Sequence, residues 1–237
     1  MLTAFACDKK SEEPAKPTPP AATPSAPAPQ PSKAEAVPAS TPTATQSAAP
    51  VNPALLKPEA AKEKAPEKFK VKFTTTKGDF VVEATRAWAP IGADRFYNLV
   101  KLGFFTDIGF FRVVPDFVVQ FGIHGNPEVA AAWRTAQLQD DPTSKQSNEK
   151  GTLTFAKGGP NSRTTQMFIN YKNNDRLDKM GFPPFAKVIS GTEVIDAINK
   201  EYGEQPQQPT VQSEGNAYLK REFPRLDYIK SATIVTK

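Results

Sequence analysis

Histidine and cysteine are almost missing from this chain: His124 is the sole histidine and Cys7 the sole cysteine. Zinc clusters need several such side chains, so no metal centre of that kind is expected, and His124 reads as an ordinary loop or core residue. No segment approaches the ~18–20 apolar residues of a membrane-spanning helix. A dense Lys/Arg block is lacking too. The net charge of +5 is spread along the chain, which describes a solvated mixed surface and argues against nucleic acid as a partner.

Aromatic residues are absent over residues 11–66, where Pro, Ala, Thr, Ser, Lys and Glu dominate. Such a stretch cannot bury enough apolar surface to offset the entropy of ordering it. A packed Ala-rich helix is the competing reading, but prolines every few residues remove backbone donors and clash with the preceding turn. The expectation is therefore a disordered tether over residues 11–67, spanning at most about 170–200 Å when fully extended. It separates a residual signal or lipidation segment, residues 1–10, from a single folded domain, residues 68–237.

Cys7 closes the stretch Met1-Leu2-Thr3-Ala4-Phe5-Ala6, and Asp8-Lys9-Lys10 follow it. Small and apolar residues before a cysteine, with a polar tether after it, resemble the cleavage and lipidation site of bacterial lipoproteins. Ala4 stands where that family usually has Leu, and six residues are too few for a secretory signal of about 15–30. Met1 is then expected to be a late start inside a longer signal. The resemblance implies a chain anchored in the bacterial cell envelope through a lipid on Cys7. The plain alternative is an incidental free thiol.

What is present begins near Phe69. Phe69–Thr75 alternates apolar and polar residues, the period of a half-buried strand, and Thr76-Lys77-Gly78-Asp79 turns it into a second strand over Phe80–Ala84. A helix is expected over Ile91–Leu102, ended by Gly103. Phe110–Val114 and Phe117–Phe121 read as strands split at Pro115-Asp116. Residues 123–150 form a long polar excursion with an acidic pair, Asp140-Asp141, and a short helical piece at Val129–Ala136. Strands follow at Gly151–Ala156, Thr165–Asn170 and Phe185–Ile189, then a short helix at Thr192–Asn199 and a closing strand at Asp227–Thr236. Many short strands with two clear helices make the fold mainly β, a barrel or sandwich.

One apolar run, Gly109-Phe110-Phe111-Arg112-Val113-Val114-Pro115-Asp116-Phe117-Val118-Val119-Gln120-Phe121-Gly122, carries a lone guanidinium. On the residues alone Arg112 would pair with a carboxylate at a strand edge. The run from Phe110 to Gln120, however, resembles the cyclophilin signature. Leu153 to Asn170, with Gly158-Gly159-Pro160-Asn161 inside it, resembles a second signature of that family. Leu177-Asp178 followed by Phe185-Ala186-Lys187-Val188-Ile189 resembles a third. The likeness covers residues 69–237. It implies a cyclophilin-like eight-stranded antiparallel β-barrel closed by two α-helices, with peptidyl-prolyl cis–trans isomerase activity and no cofactor.

The same resemblance implies roles. Arg112 falls on the catalytic arginine, and Gln120 on the amide that grips substrate backbone and helps hold that arginine. Phe117 and Phe168 match the aromatic proline pocket, Leu177 an apolar wall, and Gln166 a polar residue beside it. Ala156 and Lys157 match the segment whose backbone pairs with the peptide. Met167 is read as packing. Arg176 stands where many eukaryotic members have a Trp, which implies weak cyclosporin affinity. Phe182 lies nearest the site where many members have a rim His, in a loop one residue longer. The expected partners are proline-containing peptides and unfolded exported proteins, with the chain as a monomer. A non-catalytic proline-peptide-binding chaperone of the envelope is the alternative, kept open by Arg176 and Phe182.

Overall fold

The computed structural model describes residues 51–142 and 146–235. Cys7, the leader, most of the expected tether and Thr236 lie outside the described residues. Within them no helix is long and apolar enough to cross a membrane.

The first hairpin joins β1 (Lys68–Thr75) to β2 (Gly78–Thr85), in register from Lys68↔Thr85 to Thr75↔Gly78. Alternation does here what the pattern demands: Phe69, Val71 and Phe73 are buried while the lysines between them are exposed. Helix α1 (Pro90–Leu102) follows, burying Ala93, Phe96, Leu99 and Val100. Its N-terminus has no cap from its own preceding residue. Instead the Asp141 carboxylate accepts from the backbone N–H groups of Ile91 and Gly92 at 2.7 and 2.9 Å, where free donors and the helix dipole favour an anion. Gly103, at φ 75°, closes the other end by donating to the Leu99 and Val100 carbonyls.

Next come β3 (Ile108–Gly109), β4 (Arg112–Val114), β5 (Val118–Phe121) and α2 (Pro127–Arg134). Then β6 (Thr152–Phe155), β7 (Met167–Asn170), the single turn α3 (Arg176–Lys179), β8 (Pro184–Ser190) and α4 (Thr192–Asp196). The chain ends with α5 (Gln208–Glu214), α6 (Asn216–Glu222) and β9 (Tyr228–Val235). All strands belong to one antiparallel sheet of order β3-β9-β1-β2-β8-β6-β7-β5-β4. The two strands at its ends are consecutive in the chain, so the sheet curls back on itself around the core.

Three expectations are corrected. The strand expected over Phe110–Val114 shortens to β4, and a two-residue strand not expected from the sequence, β3, precedes it at Ile108–Gly109, which makes nine strands among the described residues instead of eight. Phe110 N–H donates to Asp227 O and Val113 N–H to Gly203 O, so the ladder partner changes at Phe110-Phe111. Those two rings then leave the backbone on opposite sides, into different apolar clusters. The second correction is the helix count. Within residues 200–226 the chain forms α5 and α6, whose seven residues each carry too few apolar positions to show a helical period. They are held instead by Val211, Tyr218, Leu219, Phe223 and Leu226 packing on Phe111, Ile123 and Ala130.

The third correction is the tether boundary. Residues 53–65 pack on the domain: short 3₁₀ turns cover Pro53–Leu56 and Pro58–Ala60, and Leu55 and Ala65 are buried. The Leu55 carbonyl accepts from the indole N–H of Trp133 at 2.8 Å, and Asn98 bonds both backbone groups of Glu63. A few anchors suffice where composition argued for none.

The main core is phenylalanine-rich. Phe73 stacks on Phe80 with ring centroids 4.8 Å apart and meets Phe96, Phe105 and Phe121. Removing one such ring costs about 3–5 kcal/mol. His124 is buried against Phe104, as a core histidine, and burial pulls its pKa down to about 4. Met167 is buried in the same core.

Candidate active site

Four neighbouring strands set out the site. The register pairs Arg112 on β4 with Gln120 on β5, Gln120 with Phe168 on β7, and Phe168 with Thr154 on β6. Directly paired residues point to the same face, so one row crosses the sheet from Arg112 to Thr154. Between β4 and β5 the chain reverses in a tight turn. Phe117 N–H donates to Val114 O at 3.1 Å, with Pro115 at the second position and Asp116 at φ 55° at the third. This turn brings Phe117 back beside Arg112. At the far end of β5, Gly122 has φ 103°, and a Cβ there would stand 2.3 Å from the Thr165 carbonyl oxygen. Only glycine lets the approach to β7 come that close, which seats Gln166 next to Gln120.

The result is a cavity of ≈ 490 Å³. All nine cavity residues anticipated from the sequence line it: Arg112, Phe117, Gln120, Ala156, Lys157, Gln166, Phe168, Leu177 and Phe182. Its apolar part is a cluster of its own, separate from the main core: Val118, Phe168 and Leu177 are buried, with Phe117, Ala156 and Phe182 packed on them. Phe168 and Phe182 meet edge to face at 6.1 Å.

Polar groups rim that cluster. Arg112 Nη1 donates to Gln120 Oε1 at 3.2 Å, and Gln120 Nε2 donates to Gln166 Oε1 at 2.9 Å. The plain expectation for Arg112 also holds, because it pairs with a carboxylate: Nε and Nη2 each lie 2.6 Å from Glu204 Oε1. A guanidinium carries five N–H groups, so among the described residues one hydrogen on each terminal nitrogen stays free to donate. Two guanidinium groups lie near the Phe117 ring, with Arg112 Cζ 5.8 Å and Arg176 Cζ 4.9 Å from its centroid. Lys157 Nζ sits 5.4 Å from the Phe182 ring and 3.3 Å from Asp140 Oδ2.

At Ala156 the expectation needs correcting. Its N–H donates to Gln166 O at 2.9 Å inside the sheet, so that group is not available to a peptide. Successive residues of a strand turn their backbone groups to opposite edges, and Lys157 N–H has no partner among the described residues. Lys157 is the residue that offers a free edge.

A buried amide network, unforeseen from the sequence, braces the cavity from beneath. Asn148 Nδ2 donates to Phe182 O at 2.8 Å and to Asp178 Oδ1 at 2.7 Å, while its Oδ1 accepts from Thr154 Oγ1 at 2.8 Å. Asn174 Nδ2 donates to Phe117 O at 3.0 Å and to Asn170 Oδ1 at 2.8 Å. Burial opposes ionisation of Asp178, but hydrogen bonds from Ser147 and Asn148 outweigh it and hold the carboxyl below its ordinary range. Asn148 belongs to the long excursion, where an isolated polar residue gives no signal of burial.

Residues 70–215 match the family described as cyclophilin type peptidyl-prolyl cis-trans isomerase/CLD. The chain is 34% identical over 134 residues to the peptidyl-prolyl cis-trans isomerase of Acinetobacter baylyi, covering 54% of this chain and 70% of that one. It is 30% identical over 136 residues to peptidyl-prolyl cis-trans isomerase B of Escherichia coli, covering 54% and 82%. A solved cyclophilin type isomerase of Cryptosporidium parvum, determined in the presence of the dipeptide Ala-Pro, shares the fold. The TM-score is 0.53 at 19% identity, over 71% of this chain and 99% of that one. This chain therefore belongs to the cyclophilin-type peptidyl-prolyl cis–trans isomerases.

Proposed function

We propose that Arg112 drives the isomerisation by stabilising the twisted prolyl amide. The planar X–Pro bond has partial double-bond character, and rotation crosses a barrier of ~18–20 kcal/mol. In the twisted state the prolyl nitrogen becomes pyramidal and regains its lone pair. No nucleophile and no acid–base pair is needed. The ring needs an apolar slot, the flanking backbone a fixed grip, and the nitrogen a donor. Phe117, Phe168, Leu177 and Phe182 supply the slot, and the free edge at Lys157 with the Gln120 and Gln166 amides supplies the grip. Arg112 supplies the donor. The observation that carries this reading is Arg112 held by Gln120 at the rim of the apolar cavity with N–H groups to spare. A charge that meets the twisted amide better than the planar one lowers the barrier. About 7 kcal/mol corresponds to roughly 10⁵-fold.

The test is a protease-free isomerisation assay on a proline tetrapeptide, with the full chain and its Arg112→Ala variant. Acceleration by the first and its loss in the second support the assignment. Equal acceleration by both removes it.

The setting follows from the other end of the chain. The isomerase is held in the bacterial envelope by a lipid on Cys7, works as a monomer at the end of the proline-rich tether, and acts on proline-bearing exported proteins. The Cys7 context and the aromatic-free stretch after it support this reading. Labelling cells with a fatty-acid analogue checks it: the chain expressed from an upstream start should take up label, and Cys7→Ser should not. An unlabelled parent chain would rule the anchor out.

A further inference from the structure

The cavity does not end at Arg112. Beyond it lies a second groove of ≈ 480 Å³, lined by Arg112, Glu204, Gln208 and Gln212 together with the Pro206 and Pro209 rings. Arg112 and Gln208 line both spaces. Strand order gives the direction. Crossing from β6 through β7 and β5 to β4 takes three steps of about 4.8 Å, roughly 14 Å in all. An extended peptide gripped at Lys157 and crossing the proline slot therefore passes Arg112 and meets the segment 204–212 with its next few residues.

That segment is built as a wall. Val113 N–H donates to Gly203 O at 2.9 Å, tying it to β4. Val211, Tyr218 and Phe223 anchor it on Phe111. The wall's chemistry faces outward. Gln208 and Gln212, four apart and so on one face of α5, have side-chain amides with no partner among the described residues. Amides both donate and accept, as a peptide backbone does. Glu204 engages Arg112 through Oε1 only, and its side chain is 61% exposed.

We propose that residues 204–212 form a second substrate subsite, which binds the polypeptide on the Arg112 side of the proline and favours a basic residue there through Glu204. The inference rests on the reading of the main cavity as the prolyl-peptide site. It makes Glu204 a specificity-determining residue and the two glutamines backbone readers.

The experiment uses the full chain and proline hexapeptides carrying Lys, Ala or Glu at each of the two positions on either side of the proline. Binding is read by NMR titration and isomerisation by exchange spectroscopy. On one side of the proline, Lys should bind about three- to fivefold more tightly than Glu, as expected for an exposed charge pair. Glu204→Gln should bring that ratio near one, and high salt should shrink it. Gln212→Ala, which touches the second groove and not the main cavity, should weaken hexapeptides while leaving peptides truncated at the proline unaffected. A Lys-to-Glu ratio that Glu204→Gln leaves unchanged overturns the subsite. So does a uniform rise in rate on every peptide, which would make Glu204 a shield on Arg112. Peptide selection without catalysed exchange would support the subsite while removing the Arg112 reading, so the two fail separately.

Discussion

Arg112 and Arg163 each face a carboxylate, and they stand in opposite surroundings. The Arg163 side chain is 2% exposed and its partner Asp141 is fully buried, with Nη1 and Oδ2 2.8 Å apart. Its Nη2 also donates to Gln139 O, and Asp141 in turn caps α1. Every strong contact there is between parts of the protein. The Arg112 side chain is 25% exposed, and its partner Glu204 lies mostly in water. Its remaining N–H groups have no partner among the described residues. The same residue type serves shape where the surroundings are closed and chemistry where they are open.

Removing Arg163 should have the largest effect. Arg163→Met strands the buried Asp141 charge and should cost about 3–5 kcal/mol of stability, read by denaturant unfolding. The molecules still folded should retain kcat/KM within a few-fold. Loss of activity with unchanged stability would break the contrast. Arg112→Ala is expected to do the reverse. Loss of a preorganised donor to the reacting group lowers kcat/KM by about 10²–10³, while an exposed ion pair contributes only about 0–1 kcal/mol to stability.

The N-terminal segment sharpens the shape-holding side. Leu55→Ala should cost about 2 kcal/mol, and starting the chain at residue 67 at least as much, both without change in the isomerisation rate of the folded protein. If truncation leaves unfolding unaltered, residues 51–66 contribute nothing to the domain.

The smallest effect concerns His124. Burial lowers its pKa from 6.5 to about 4, so the unfolded chain binds a proton that the folded one refuses. Stability should then fall as pH drops from 6.5 toward 4, with on the order of 1 kcal/mol lost by pH 5.5. His124→Phe should flatten that slope in unfolding curves taken across the range. An unchanged slope would assign the acid sensitivity to other groups.

The site was legible for a definite reason. Arg112, Gln120 and Phe168 sit on short strands and Phe117 on the turn between two of them, elements whose spacing and order are local properties, and the motifs carry them together. The brace was not legible. Asn148, Asn170 and Asn174 are buried amides, and what makes them useful is the presence of one another. Glu204 and Gln208 were hidden because α5 and α6 lack a hydrophobic period, and their place at the rim depends on packing against Phe111. Ala156 was placed correctly, but which backbone group it spends inside the sheet is a matter of register.

By itself the sequence determined the alternation of β1 and β2, the span and glycine stop of α1, the tight turn at Pro115-Asp116 and the family. The first three are decided by residues close in the chain, through sterics, period and turn chemistry, and the family was legible through the resemblance of three ordered motifs. Tertiary structure alone decided which arginine is closed in and which is open, that residues 53–65 pack on the domain, and which carboxylate meets Arg112. Those outcomes depend on partners far apart in the chain. Glu204 lies 92 residues from Arg112 and Leu55 lies 78 from Trp133, and only the folded, curled sheet brings them within reach.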